Sequence, residues 1–160
     1  MDLGEWLKAF RSMHARFKAG ELSPTELATY RLGRDELARA LLAAQQVAMK
    51  KSEVPRRQIR VARALQLDLD LGKDRIRGMT LDLSAGGFGA LLAKPPTPGD
   101  AVRFTLRLPG QESVSGAARV VDAKVLPGNV RAAFSFMSLS PQDAERVETF
   151  VFDALLEHIG

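Results

Sequence analysis

Cysteine is absent from the 160-residue chain, which removes disulfide frameworks, thiolate metal sites and cysteine nucleophiles from consideration. A chain built without disulfides suits a reducing compartment, and the expected location is the cytoplasm. The amino terminus, Met-Asp-Leu-Gly-Glu-Trp, lacks the basic stretch and following apolar run of a signal peptide. No segment approaches the roughly 18 apolar residues of a membrane span, so no membrane insertion is expected. Histidine is confined to His14 and His158. They are far apart in sequence, each is expected at the surface or in packing, and no metal site is expected.

What the chain does contain is ordinary for a folded protein. A hydrophobic fraction of 46% and a charged fraction of 26% exclude global disorder, and the length suits one domain plus an accessory segment. The charge is unevenly placed. Residues 1–60 hold 12 Lys/Arg and 7 Asp/Glu, a net of +5, whereas residues 61–160 hold 11 and 12, a net of −1. An excess of that size is usually a solvated surface, which makes nucleic-acid binding by the first third the weaker of the readings below.

The first third reads as helical. Leu3, Trp6, Leu7, Phe10, Met13 and Phe17 recur at three- and four-residue intervals, marking one face of a helix over 2–19 that Gly20 can stop. Ser23-Pro24-Thr25-Glu26 starts a second helix, with Ser23 as cap, Pro24 in the first turn and Glu26 closing a capping box. Leu27, Tyr30, Leu37, Leu41, Ala44, Val47 and Ala48 carry its stripe, with Gly33 as a potential break. Two helices cannot bury two apolar stripes without each other or a partner. Residues 1–51 are therefore expected to form a helical hairpin, whose aromatic stripe is a candidate homodimer surface.

Charge and proline at Lys50-Lys51-Ser52-Glu53-Val54-Pro55 end the helical pattern, and the period then changes. Alternation over 61–71 predicts a strand, and further strand-like runs follow at 76–83, 88–93, 101–108, 113–125 and 130–136. Turn signals such as Pro98-Gly99-Asp100 and Pro127-Gly128-Asn129 separate several of them. Short strands without intervening helices indicate a small antiparallel barrel or sandwich. Ser140-Pro141 then starts a last helix, over about 141–158, with Val147, Phe150, Val151, Ala154 and Leu155 as its stripe.

Two short motifs stand in order on this pattern. Arg56-Arg57-Gln58-Ile59-Arg60 satisfies Arg-x-x-x-Arg before the first strand. Asp82-Leu83-Ser84-Ala85-Gly86-Gly87 satisfies Asp/Asn-x-Ser-x-x-Gly at the end of the next. Either alone is weak, since arginine pairs are usually solvated and Asp-x-Ser before glycine is usually a turn bonded to its own backbone. Together they closely resemble the PilZ family, over about residues 55–158. The resemblance implies an α+β protein, with residues 52–160 as a PilZ domain: a binding linker at 52–60, a six-stranded antiparallel barrel over about 61–137 and a closing helix. It also implies a site for cyclic di-GMP made by Arg56, Arg60, Asp82, Ser84 and Gly87, with Arg57 as a further candidate inside the first motif.

The side chains suit that ligand. Guanidinium forks match both the O6/N7 edge of guanine and phosphate oxygens, and can stack on a purine. A carboxylate at Asp82 can accept from guanine N–H groups, Ser84 can bond base or phosphate, and Gly87 can allow a tight turn and close ligand approach. Gly86-Gly87-Phe88-Gly89 lies between strands without the Lys-Ser/Thr of a P-loop, so it is no ATP site. Asp68, Asp70 and Asp74 are expected to be solvated, and Trp6 and the phenylalanines of the first helix to be packing residues. No nucleophile-base arrangement or cofactor fingerprint appears. The expected function is a non-enzymatic receptor that acts on an unknown downstream protein, with motility or surface polysaccharide control suggested by family resemblance. The alternatives are a nucleotide-independent PilZ-like adaptor and a basic nucleic-acid-binding protein.

Overall fold

In the computed structural model, residues 2–48 and 59–159 are described, the side chains of 44–48 and 158–159 excepted. The chain divides into two compact units, 1–59 and 60–160. The linker motif residues Arg56 and Arg57 and the side chains of Ala44, Val47, Ala48 and His158 thus lie outside what is described.

In the first unit, helix α1 (Leu3–Lys18) packs against α2 (Pro24–Ala48), and both begin at side-chain caps. The Asp2 carboxylate accepts the Glu5 N–H at 2.8 Å. At α2 the capping box closes as its spacing predicts. Ser23 Oγ accepts from Glu26 N at 3.2 Å and Glu26 Oε1 accepts from Ser23 N at 3.1 Å. Arg16 of α1 adds a bidentate pair to the same carboxylate, at 2.7 and 3.1 Å.

Gly33 does not break α2. It faces α1, where an added Cβ would lie 3.2 Å from the Phe10 ring, so the glycine permits close helix approach. The aromatic stripe closes within the pair, because Phe10 stacks on Trp6 at 5.3 Å and on Tyr30 at 5.5 Å, and Phe17 stacks on Tyr30 at 4.5 Å. Much of the surface expected to be available for self-association is thereby covered. His14 is buried with them and shares a 2.7 Å hydrogen bond with the Tyr30 hydroxyl. Arg34, also buried, lies over the Tyr30 ring at 5.4 Å.

The second unit is a closed barrel. Its strands are β1 (Gln66–Asp70), β2 (Arg75–Ser84), β3 (Gly87–Leu92), β4 (Ala101–Leu106), β5 (Val114–Leu126) and β6 (Asn129–Ser138), in the order β1-β2-β3-β6-β5-β4, all antiparallel. Alternate residues fill it, Leu67, Leu69, Leu83, Phe88, Phe104, Leu106, Val120 and Phe134 among them. Helix α3 (Pro141–Ile159) is capped by Ser140 and contributes Val147, Val151 and Ala154 to the same core.

The first strand is shorter than its alternation predicts. Arg63 falls in the inward phase with Leu65 and Leu67, and a guanidinium cannot enter an apolar core. The chain leaves the ladder there instead. The Thr80 hydroxyl donates to Arg63 O at 2.6 Å and accepts from Leu65 N at 2.8 Å, while Arg63 pairs with Glu157 at 3.2 Å. The predicted solvated aspartates are at the surface, in long pairs with exposed cations, Asp68 with Arg77 at 3.9 Å and Asp74 with Lys94 at 3.4 Å.

The capping contacts predict an acid sensitivity of the helical pair. Arg16, and then the Ser23 backbone and hydroxyl, hold the Glu26 carboxyl down from 4.5 to about 2. A depressed carboxyl stabilises the fold fully above its unfolded value, and that contribution is lost as pH falls toward the folded value. The thermal midpoint of the helical signal should therefore fall between pH 4.5 and about 2, and Glu26→Gln should flatten that part of the profile. Superimposable pH slopes for the two proteins would contradict the assignment.

Candidate functional site

The end of β2 and the start of β3 form a tight hairpin in which Ser84 faces Gly87 and Asp82 faces Gly89. A bulge between Thr80 and Asp82 resets the strand just before it. Leu83 points into the core, fully buried, so its neighbours Asp82 and Ser84 lie on the other side of the strand, Asp82 partly exposed and Ser84 buried under the turn. Asp82 Oδ1 accepts the Gly89 N–H at 2.9 Å, and Oδ2 lies 3.8 Å from the Arg60 guanidinium. Val61 bridges to Leu83 by paired backbone bonds of 2.9 Å, which is what sets Arg60 beside that carboxylate.

Of the residues expected in the site, the structure brings Arg60, Asp82, Ser84 and Gly87 together at this hairpin. Arg56 and Arg57 lie outside the described residues. Ser84 and Gly87 have work inside the protein. Ser84 Oγ accepts from Gly86 N at 3.2 Å and donates to Gly87 O at 3.3 Å, so the hydroxyl shapes the turn. Gly87 is buried and its backbone does not adopt a positive φ. A side chain is excluded because a Cβ would collide with the Phe134 carbonyl oxygen and lie 3.1 Å from the Ser135 Cα. Close strand approach, rather than a turn conformation, requires that glycine.

The exposed chemistry is therefore concentrated in Arg60 and Asp82. The Arg60 side chain is 43% exposed and the Asp82 side chain 30% exposed. At 3.8 Å the pair is a loose charge contact with no hydrogen bond, which costs little to open. Arg60 can offer its fork to phosphate or to a purine edge, and Asp82 Oδ2 can accept N–H donors. Beside them the outward positions of β3 and β6 are small, with Asp82 facing Gly89, Gly89 facing Ala133 and Gly87 facing Ser135. This low floor admits a flat group against the sheet. Its outline depends on cross-strand register, and the sequence offers only the small residues themselves as a signal.

Comparison with protein families decides the lineage, since the model of the PilZ domain matches residues 55–153. The chain belongs to the PilZ family. Solved structures carry the same fold. The PilZ domain of Escherichia coli YcgR with c-di-GMP is 21% identical, at a TM-score of 0.56, over 66% of this chain and 95% of that one. The Bacillus subtilis inhibitor of motility, MotI/DgrA, is 18% identical at a TM-score of 0.59, over 68% of this chain and 57% of that one. The MrkH–c-di-GMP complex of K. pneumonia is 18% identical at 0.57, over 67% and 55%. The matched part is thus a little over half the length of the MotI and MrkH chains. Comparison with curated proteins gives no match. Among the described residues no group of three or more His, Asp or Glu could hold a metal ion, and no helix is long and apolar enough to cross a membrane.

The close approach of β3 to β6 makes Gly87 a stability position of the PilZ barrel. Gly87→Ala must push two backbones apart, and is expected to destabilise the barrel by about 1–3 kcal/mol or more. Thermal unfolding of the barrel signal checks this. An unchanged midpoint would show that the strands have room that the geometry denies.

Proposed function

We propose that this protein is a receptor for cyclic di-GMP whose site is made by Arg56, Arg60, Asp82, Ser84 and Gly87, the first three as nucleotide contacts and the last two as the frame of the hairpin, with Arg57 as a further contact. The observation that carries the reading is the pairing of Arg60 with Asp82 at 3.8 Å beside a floor of small residues. It brings members of both sequence motifs to one outward face. A guanine ring lies flat on that floor, its N–H groups donate to Asp82, and the arginines take phosphate oxygens or the O6/N7 edge. Ser84 and Gly87 act on the ligand indirectly, by fixing the hairpin that presents Asp82.

The arginine segment is also the stretch of chain that joins the helical pair to the barrel in sequence. A ligand that engages it acts on that tether, and the output is a change in conformation or in the binding of a downstream protein. Motility is named for MotI/DgrA, the inhibitor of motility, and control of motility or surface polysaccharide is the cellular role we infer here. The chemistry is recognition without turnover, because among the described residues the site offers a cation, a carboxylate and turn-bound backbone and no nucleophile–base pair.

Calorimetry tests this reading. Cyclic di-GMP should bind, and GMP much more weakly, since only the cyclic dimer presents two guanines and two phosphates together. Arg56→Ala and Arg60→Ala should each weaken binding by roughly 1–3 kcal/mol without unfolding the protein, and Asp82→Ala should also weaken it. Equal affinity for the two nucleotides, absence of heat with either, or unchanged affinity in a folded Arg56/Arg60 double variant would overturn it.

A further inference from the structure

The barrel closes with one strand reaching beyond its neighbour. β5 pairs with β4 only as far as Arg119, opposite Ala101, and the last bonds on that side are Val120 N to Asp100 O and Gly99 N to Val120 O. Of its remaining residues, 122–126 pair with β6 alone and Val121 is the extra residue of a bulge. Among the described residues no strand pairs with the other edge of 121–126. A bulge between Val120 and Asp122 separates this extension from the barrel wall. Beyond the bulge, hydrogen-bonding direction alternates, and Ala123 and Val125 turn their N–H and C=O away from β6.

An open edge of this kind is a template for another strand, and proteins usually guard it with a lysine, a bulge or a proline. Lys124 and the bulge give this edge part of that protection, and its side chains also carry a pattern of their own. Val121 and Val125 are 59% and 71% exposed. Asp122 and Lys124 stand on the outer face, opposite Ala133 and Arg131. Lys124 and Arg131 are like charges in directly opposed positions, an arrangement that disfavours the hairpin unless an anion lies alongside. Among the described residues no ion pair is formed by Asp122, Lys124 or Arg131.

The segment Val121-Asp122-Ala123-Lys124-Val125 is complementary to itself when run antiparallel. Centred on Ala123, each valine meets the other valine of the second copy, each aspartate meets a lysine, and Ala123 meets Ala123. Twofold pairing keeps opposed side chains on one face, so the neighbouring registers are those that set Asp122 against Asp122 or Lys124 against Lys124. Both are repelled. We propose that this edge is a homodimer surface on which a second copy of the chain docks antiparallel, joining the two β5 strands about a twofold axis. In that register the partner's Asp122 lies opposite Lys124, on the side of it away from Arg131, and supplies an anion to the pair of like charges. The inference is independent of nucleotide binding.

Five paired residues make a small interface, so the dimer is weak and concentration-dependent. Sedimentation equilibrium on the full chain, up to about 1 mM, should show reversible dimerisation. Asp122→Lys and Lys124→Asp each place like charges opposite one another at two symmetry-related points, and each should weaken self-association roughly tenfold or more. The double variant should restore it, and an equimolar mixture of the two single variants should associate as a heterodimer. Both substitutions lie on an exposed face, and circular dichroism of each variant establishes that the fold is kept. A wild-type chain that stays monomeric throughout, or a dimer indifferent to both single reversals, would overturn the proposal. The second outcome would place association elsewhere, for example on the helices.

Discussion

At Gly87 the backbone of β3 passes so close to the Phe134 carbonyl of β6 that no β-carbon fits between them, and the outer surface of the barrel at this point depends on that contact. It holds the β2–β3 hairpin tight, with Ser84 bonded across its own turn. It keeps Asp82 opposite Gly89, where the carboxylate takes a backbone N–H with one oxygen and turns the other toward Arg60. A bulkier residue at Gly87 would separate the strands and move the carboxylate with them. The motif therefore encodes a scaffold first, and its recognition chemistry rests on two side chains that the scaffold presents.

The same economy of contacts explains why the site stays open. A guanidinium and a carboxylate in firm hydrogen-bonded contact would neutralise each other, and a ligand would have to break them apart at a cost. Arg60 and Asp82 are near enough to focus charge and far enough to be separated. The small residues next to them keep the sheet surface low, which suits a planar base more than a bulky apolar group. Elsewhere the outer face of the barrel is covered by long arginine–aspartate pairs such as Arg77 with Asp68, a solvated arrangement with little bearing on stability.

Much of this was legible before the fold was seen, for physical reasons that can be named. Capping residues act over three or four positions, so Ser23 and Glu26 declared the start of α2 locally. Strand alternation and turn residues carried a barrel or sandwich, and the resemblance to the PilZ family narrowed it to the barrel and implied that Asp82, Ser84 and Gly87 share a site. What escaped were features that depend on partners distant in the chain. Gly33 reads as a helix break until Phe10 is set against it. His14, expected at the surface or in packing, is a packing residue, but its hydrogen-bond partner Tyr30, sixteen positions on, is not named by its sequence neighbours. The first strand was overestimated because alternation counts Arg63 as inward, although a charge there forces the chain out of the ladder. The reason for Gly87 was likewise hidden, since nothing local to the motif names Phe134.

The central claim is that the β2–β3 hairpin and Arg60 form a nucleotide-binding face. Amide chemical shifts of the isotopically labelled protein, followed during titration with cyclic di-GMP, test it most directly. The account predicts that the largest changes occur at Arg60, Asp82, Gly86, Gly87 and Gly89, with the β1–β4 side of the barrel little affected. Saturable changes that leave the hairpin amides untouched, or no changes at all, would contradict it.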